Sequence, residues 1–439
     1  MRGIPLFLVI ASGLAAAAAG CLRGEPIAAD FVDTGGSIQV PGCDYALTTR
    51  VGAEPPSIGV PHSGRDPRPR SVHLGIMGDP RTSIVAQWRT WDETTLATEI
   101  WYAKGEGLSP PQLTGRATGL TFAYRATGTD IIRMHQAHLC NLEPGTTYSY
   151  QVGGVDLDGN AAFSPVYSFR TAPDVAAQPD AEVVLGLVGD TRGGYAVWQQ
   201  LVDQLAFRAP DLIVFTGDAV TIGLTQYEWE EFFDRGEQLL ARVPLISAHG
   251  NHEVNAVNFY SQVAQPGDQE TFGLDYGFAH ITVANDTPDD YAKIGGQVRD
   301  AIAADFAASD GARWKLFVHH QPMFTSSTTH GSSVTLQEAW LPLVDAHRID
   351  LVVNGHAHLF ELTRPLRAKE PQATTDDATV FVVTGGAGAP LYDHLPQPFS
   401  AYSEMTYNAS VVRVRKDQLV LEAFRQDGTA IPAGLTKTK

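Results

Sequence analysis

Five short blocks in this chain combine glycine with side chains that carry oxygen or nitrogen donors. They are GD at 189–190, GD at 217–218, GNHE at 250–253, HH at 319–320 and GHAH at 355–358. Each ends or follows an apolar run: VVLGLVG, DLIVFTGD, PLISAHGN, WKLFVHH and IDLVVNGH. A lone Gly-Asp is ordinarily a turn, and a lone histidine ordinarily a satisfied core or surface residue. Five such blocks after apolar strands point to one shared site, because layered α/β sheets present ligands in the loops at their strand ends. The donors are carboxylate and amide oxygens and imidazole nitrogens, without thiolate, a set suited to Mn, Fe or Zn. A carboxylate can bridge two such ions. The pair would turn a bridging water into hydroxide at neutral pH and clamp the oxygens of an in-line displacement.

The first block lies in GLVGDTRGG, residues 186–194. A glycine-rich turn after a strand can also cradle phosphate on backbone N–H groups. The GK[ST] ending of a P-loop is absent, however, and four partner blocks downstream claim Asp190 as a metal ligand.

These blocks need a scaffold. Between the strand runs lie amphipathic segments such as WQQLVDQLAFRA and EWEEFFDRGEQLLA, and further strands follow in TFGLDYGFAHITVAN, TVFVVTGG, ASVVRVRK and QLVLEAFR. The alternation predicts an α/β/β/α two-sheet sandwich over 182–430. Residues 71–172 have another texture, with short alternating runs divided by turn residues, such as SIVAQWRT, ATEIWYA and TTYSYQVGG. That spacing predicts an all-β sandwich with Trp88 in its core and Tyr148, in LEPGTTYSYQV, at a tyrosine corner. The segment resembles a fibronectin type III domain. It carries no cluster of ionisable side chains at catalytic spacing, so its expected role is architectural or that of a wall over a site in its neighbour.

At 439 residues, two domains are the natural expectation. The formal charge of −18 argues against nucleic acid as the main partner, since phosphate neutralisation needs surplus Lys and Arg. Residues 1–20 read as a secretory signal peptide, with an early Arg, an apolar run and a small-residue tail. The Ala-Ala-Gly before Cys21 resembles a bacterial lipobox, with Ala18 where Leu is usual. Lipidation at Cys21 would anchor the chain at the cell envelope, and cleavage in the alanine run would leave it secreted or periplasmic. Residues 21–70, rich in Gly, Pro, Ala and Asp, read as a tether or loosely docked extension. Cys43 and Cys140 then remain as an even pair in an oxidising compartment, and a disulfide between them is expected. Oligomeric state is not legible.

Residues 182–361 resemble the calcineurin-like metallophosphoesterase superfamily through GD…GD…GNHE…H…GHAH. The preceding sandwich, together with GHAHLFE, is similar to purple acid phosphatases, and the resemblance covers about residues 71–425. It implies a phosphate ester hydrolase with two metal ions. Carried over by position, Asp190 and His358 hold the first metal, Asp218 bridges, and Asn251, His319 and His356 hold the second. His252 assists the leaving oxygen or stabilises transition-state charge. LFVHHQP is read with His319 as the ligand, leaving His320 and His330 to line the substrate pocket. His249 and Glu253 have no ligand role, and Glu361 either orients a histidine or is a surface carboxylate.

Two departures from the family stand out. Purple acid phosphatases place a tyrosine three residues after the bridging aspartate, and here GDAVT supplies Thr221. Other branches place a histidine two residues after the first aspartate, and here that residue is Arg192. An inward Arg192 would clamp a phosphate oxygen and disfavour a nearby cation; otherwise it lies in solvent or a salt bridge. The short ligand set leaves a second reading open, an exported surface binding protein on a degenerate phosphoesterase fold.

Overall fold

The computed structural model describes residues 25–26, 37–48, 65–91, 98–125, 131–155, 159–288 and 290–439. The expected signal peptide, Cys21 and much of the 21–70 extension lie outside the described residues.

The first third of the chain is a two-sheet β sandwich. One sheet orders Leu120–Arg125, Ile131–Leu139, Ile84–Thr90 and Arg70–Gly75; the other is built on Thr147–Val155, flanked by Glu99–Lys104, Tyr167–Arg170 and Ala161–Phe163. Trp88 is fully buried between them and stacks on His135, with ring centroids 5.2 Å apart. The Tyr148 hydroxyl accepts the Glu143 N–H at 3.0 Å, the backward bond that fixes a tyrosine corner. Cys43 and Cys140 form a disulfide with Cα atoms 5.4 Å apart. It ties the hairpin of Ser37–Gln39 and Ala46–Thr48 to the end of Ile131–Leu139.

The remainder is the two-sheet α/β structure expected from the alternating runs. In the first sheet Leu245–Ser247, Leu212–Phe215 and Val183–Val188 run parallel, and Asn408–Val414, Gln418–Arg425 and Ala430–Thr438 continue antiparallel. In the second, Ala279–Val283, Trp314–Val318, Leu351–Asn354 and Val380–Thr384 run parallel. The parallel strands at the centre of both sheets are buried on both faces, because they are covered by the other sheet inside and by helices outside. Gln418–Arg425 and Ala430–Thr438 instead alternate between buried and partly or fully exposed residues. Leu185 and Leu187 meet Leu316 and Val318 in the centre, whereas Val184 and Val188 face Trp198 and Leu201 on the helix Tyr195–Arg208. On the far side Phe317 packs with Ile302, Phe306 and Trp340. Each fully buried side chain of this size contributes roughly 1.5–3 kcal/mol.

The two halves are not separate bodies joined by a linker. Leu245 pairs in parallel with Gly75, so a sandwich sheet and the first α/β sheet form one eleven-stranded sheet. Side chains reinforce this seam. The Tyr150 hydroxyl donates to the Ala241 carbonyl at 2.7 Å, and Ser71 donates to Asp234 at 2.6 Å.

Candidate metal centre

The carboxyl ends of five parallel strands converge. Asp190 follows Val183–Val188, Asp218 follows Leu212–Phe215, and Asn251 with His252 follows Leu245–Ser247. From the other sheet come His320, after Trp314–Val318, and His356 with His358, after Leu351–Asn354. Three of these residues hold left-handed backbone, with φ of 65° at Asp190, 59° at Asp218 and 63° at His356. Such conformations cost on the order of 1–3 kcal/mol each in non-glycine residues and persist only where surroundings over-determine them. Here the surroundings are hydrogen bonds. His356 N–H donates to both Asp190 oxygens at 2.9 and 3.0 Å, and His252 N–H donates to Asp218 Oδ1 at 2.9 Å. The glycines that open GNHE and GHAH allow this approach. A Cβ on Gly250 would lie 2.3 Å from Asp218 Oδ1, and one on Gly355 would lie 2.3 Å from Asp190 Oδ2.

Two groups of ligand atoms result, sharing one carboxylate. Asp218, His320 and His356 form one, and Asp190, Asp218 and His358 the other, with the atoms in each within 4.8 Å of one another. Asn251 Oδ1 joins the first, 3.1 Å from His320 Nε2. His320 Nε2 also lies 3.3 Å from Asp218 Oδ1 and 3.2 Å from His356 Nδ1. His320 Nδ1 is 2.7 Å from the Thr216 carbonyl, to which it donates, so Nε2 faces the group, where a cation would take the place of its proton. Burial opposes a charge on His320, but the carboxylates of Asp218, Asp190 and Asp286 outweigh it and raise its pKa to about 10. Burial and the positive field of His320 push His356 down to about 2. Asp218 Oδ2 is buried with no hydrogen-bond donor among the described residues. A buried carboxylate with one orphaned oxygen, grouped with two imidazoles, fits a cation here.

His319 lies elsewhere, correcting its expected place among the ligands. Strand residues alternate between faces, and Trp314, Leu316 and Val318 face the centre. His319 therefore shares the outer face with Phe317, while His320 turns inward. The His319 ring meets Trp340 edge-on, with centroids 5.3 Å apart, and Nδ1 is 3.0 Å from Asp286 Oδ2. His320 is thus not a pocket wall but stands in the ligand group.

The remaining residues sort around this centre. His252 Nδ1 is 2.5 Å from the Thr221 carbonyl, and its Nε2 lies 3.9 Å from Asp218 Oδ2 at the half-open rim. His330 is exposed beside His356, with ring centroids 4.4 Å apart. His249 is buried, with Nδ1 3.0 Å from the Thr287 hydroxyl. Glu361 neither orients a histidine nor lies on the surface. It is buried and accepts bonds from Ser326 N–H at 2.7 Å, Thr325 at 3.1 Å and Ser400 at 2.7 Å, pinning the segment that leads to His330.

Arg192 points inward. Its Nη1 lies 3.2 Å from His358 Nε2 and 3.9 Å from Asp218 Oδ2. Tyr392, which no sequence block marked, stacks on His358 with centroids 4.0 Å apart, within reach of the Arg192 charge. The second ligand group therefore fits a cation less well than the first, because a guanidinium already occupies the lone pair of His358.

Comparison with known proteins agrees with this geometry. Residues 184–360 match the calcineurin-like phosphoesterase family, and residues 69–171 match the purple acid phosphatase N-terminal domain. An uncharacterized protein of Mycobacterium tuberculosis is 25% identical, over 72% of this chain and 69% of its own length. Purple acid phosphatase 21 of Arabidopsis thaliana is 22% identical, over 79% of this chain and 78% of its own. The purple acid phosphatase PPD1 of yellow lupin superposes with a TM-score of 0.73 at 18% identity, covering 84% of this chain and 74% of that one. The chain thus unites a purple acid phosphatase N-terminal domain with a calcineurin-like metallophosphoesterase domain.

Proposed function

We propose that this protein hydrolyses phosphate esters at a metal centre held by Asp218, Asn251, His320 and His356. The observation that carries the reading is the buried carboxylate of Asp218, which groups with the imidazoles of His320 and His356 from the opposite sheet. Its Oδ1 lies 3.3 Å from His320 Nε2, and its Oδ2 has no hydrogen-bond donor among the described residues. A cation there would polarise a phosphoryl oxygen and lower the pKa of water. The side chains supply the rest. Nδ1 of His252 donates to the Thr221 carbonyl, which leaves Nε2 facing the rim, where it stabilises charge or hands a proton to the departing alcohol. Tyr392 and His330, whose ring centroids are 5.3 Å apart, wall the opening and would pack against the ester's organic group. Glu253 holds the loop of Asp218 in place from beneath. Fe, Mn and Zn all suit the donor set.

The sequence before Cys21 supports a place at the cell envelope, anchored by lipid or released. Among the described residues no helix is long and apolar enough to cross a membrane.

Chelated protein should not hydrolyse an aryl phosphate, and Mn, Fe or Zn should restore turnover. Aryl monoester and diester substrates run side by side would give the preference. Metal-replete protein inactive on both would favour the rival reading, a binding protein on a phosphoesterase fold, for which inward-facing Arg192 is the specific support.

A further inference from the structure

We propose that Arg192 takes the place of the first cation, so that this centre holds a single metal ion facing a fixed guanidinium across Asp218. The proposal rests on the reading of Asp218, Asn251, His320 and His356 as a metal group, and concerns what stands opposite them.

The ligand chemistry comes first. His358 Nδ1 is 2.7 Å from the Pro390 carbonyl, to which it donates, so the only lone pair of the ring is on Nε2. Arg192 Nη1 lies 3.2 Å from that atom, and an arginine nitrogen only donates. The guanidinium thus takes the lone pair a metal would need. The same Nη1 is 3.9 Å from Asp218 Oδ2, so the positive charge reaches the carboxylate that would otherwise bridge two ions. Among the described residues this group has three carboxylate or imidazole ligands, Asp190, Asp218 and His358. Position 221 is a threonine and supplies no phenolate, and its backbone carbonyl is already bonded to His252.

Arg192 is also built into place. It lies within the turn in which Gly194 N–H donates to the Thr191 carbonyl at 2.8 Å, with φ of 32° at Arg192 itself. Its side chain is only 20% exposed, and the His358 ring it bonds is held on its face by Tyr392, stacked at 4.0 Å with an interplanar angle of 17°. A guanidinium is charged at any accessible pH, so it repels a cation entering the Asp190 group under all working conditions. It also keeps N–H donors for phosphate oxygens, supplying by hydrogen bonding part of the charge neutralisation a second ion would give.

The test is metal content. Wild type, Arg192→Ala, Arg192→His and Arg192→Lys are loaded with excess Mn(II), freed of unbound ion by gel filtration and assayed by elemental analysis. Electron paramagnetic resonance then separates an isolated ion from a coupled pair. Wild type and Arg192→Lys should hold about one ion per chain and give the spectrum of an isolated ion. Arg192→His, which adds an imidazole, should hold about two and show coupling; Arg192→Ala should move the same way. In wild type, Asp190→Asn should leave the count at about one, whereas His356→Ala should abolish it. Two ions in wild type, with Asp190→Asn falling to one, would overturn the inference while leaving the phosphoesterase reading intact. No ion in any variant, together with no turnover, would overturn both.

Discussion

Glu253 supports Asp218 from behind. Its Oε2 accepts the N–H groups of Asp218 and Gly250, each at 2.8 Å, and its Oε1 accepts that of Ala219 at 2.7 Å. One buried carboxylate thus fixes both the loop that carries the shared ligand and the loop that carries Asn251 and His252. Burial and the charge of Asp218 raise the Glu253 pKa to about 7.

Glu253→Gln keeps the shape but turns an amide N–H against a backbone N–H. A mismatch of this kind, buried, costs about 1–3 kcal/mol. Loss of a group that orients a ligand also weakens metal affinity about 10–100-fold. Denaturant unfolding and a metal titration of the same variant should show both. A Glu253→Gln protein with native metal affinity would mean that the loop holds its shape without the carboxylate.

His319 and His320 are neighbours in sequence with different predicted consequences for metal binding. His320→Ala strips the Thr216 carbonyl and Asp218 of a buried partner, so it should lower stability and also abolish metal binding and turnover in the protein that stays folded. His319→Ala leaves Asp286 without its imidazole partner in a fully buried setting and should cost about 2–3 kcal/mol of stability. Its residual folded fraction should still bind metal.

The His280 ring provides a pH test far from the centre. Nδ1 is 2.7 Å from Asp275 Oδ1, and Nε2 is 3.0 Å from Asp305 Oδ2. Burial works to lower its pKa, but the two carboxylates overcome this and raise it to about 9. A histidine whose folded pKa lies above its unfolded value of 6.5 stabilises the fold fully below pH 6.5, and that contribution is lost as pH rises through about 9. Asp275 is largely exposed, so screening reduces the contribution to on the order of 1–2 kcal/mol. Wild type should exceed His280→Gln in stability by about this amount near pH 6, and the difference should narrow above pH 9. A gap that widens with rising pH would contradict the assignment.

The site residues differed in how legible they were. Asp190, Asp218, Asn251, His356 and His358 stood out because each sits in a glycine-bearing block after a strand, and the glycines serve close approach. Gly250 and Gly355 admit the carboxylates of Asp218 and Asp190, Gly189 the Thr216 hydroxyl and Gly217 the His320 ring. The sandwich was legible from its alternating runs and from Tyr148 after its turn. His320 was misread because Trp314–Val318 is apolar on both faces, so alternation marks no inside, and only the opposing sheet shows which histidine faces the ligands. Tyr392 carries no local signal, since its place depends on a loop folding back over His358. The continuous sheet joining Gly75 to Leu245 was equally invisible, being a single pairing between residues far apart in the chain.

The central claim is that Asp218 is the carboxylate on which hydrolysis depends. Asp218→Asn retains the volume and an acceptor oxygen for the His252 N–H, but removes the negative charge between the two ligand groups. The most direct measurement is the turnover of an aryl phosphate by metal-loaded Asp218→Asn, with circular dichroism to confirm that the fold is kept. Loss of activity to background in a folded protein is the predicted result. Turnover equal to wild type would contradict a phosphoesterase centre at this position.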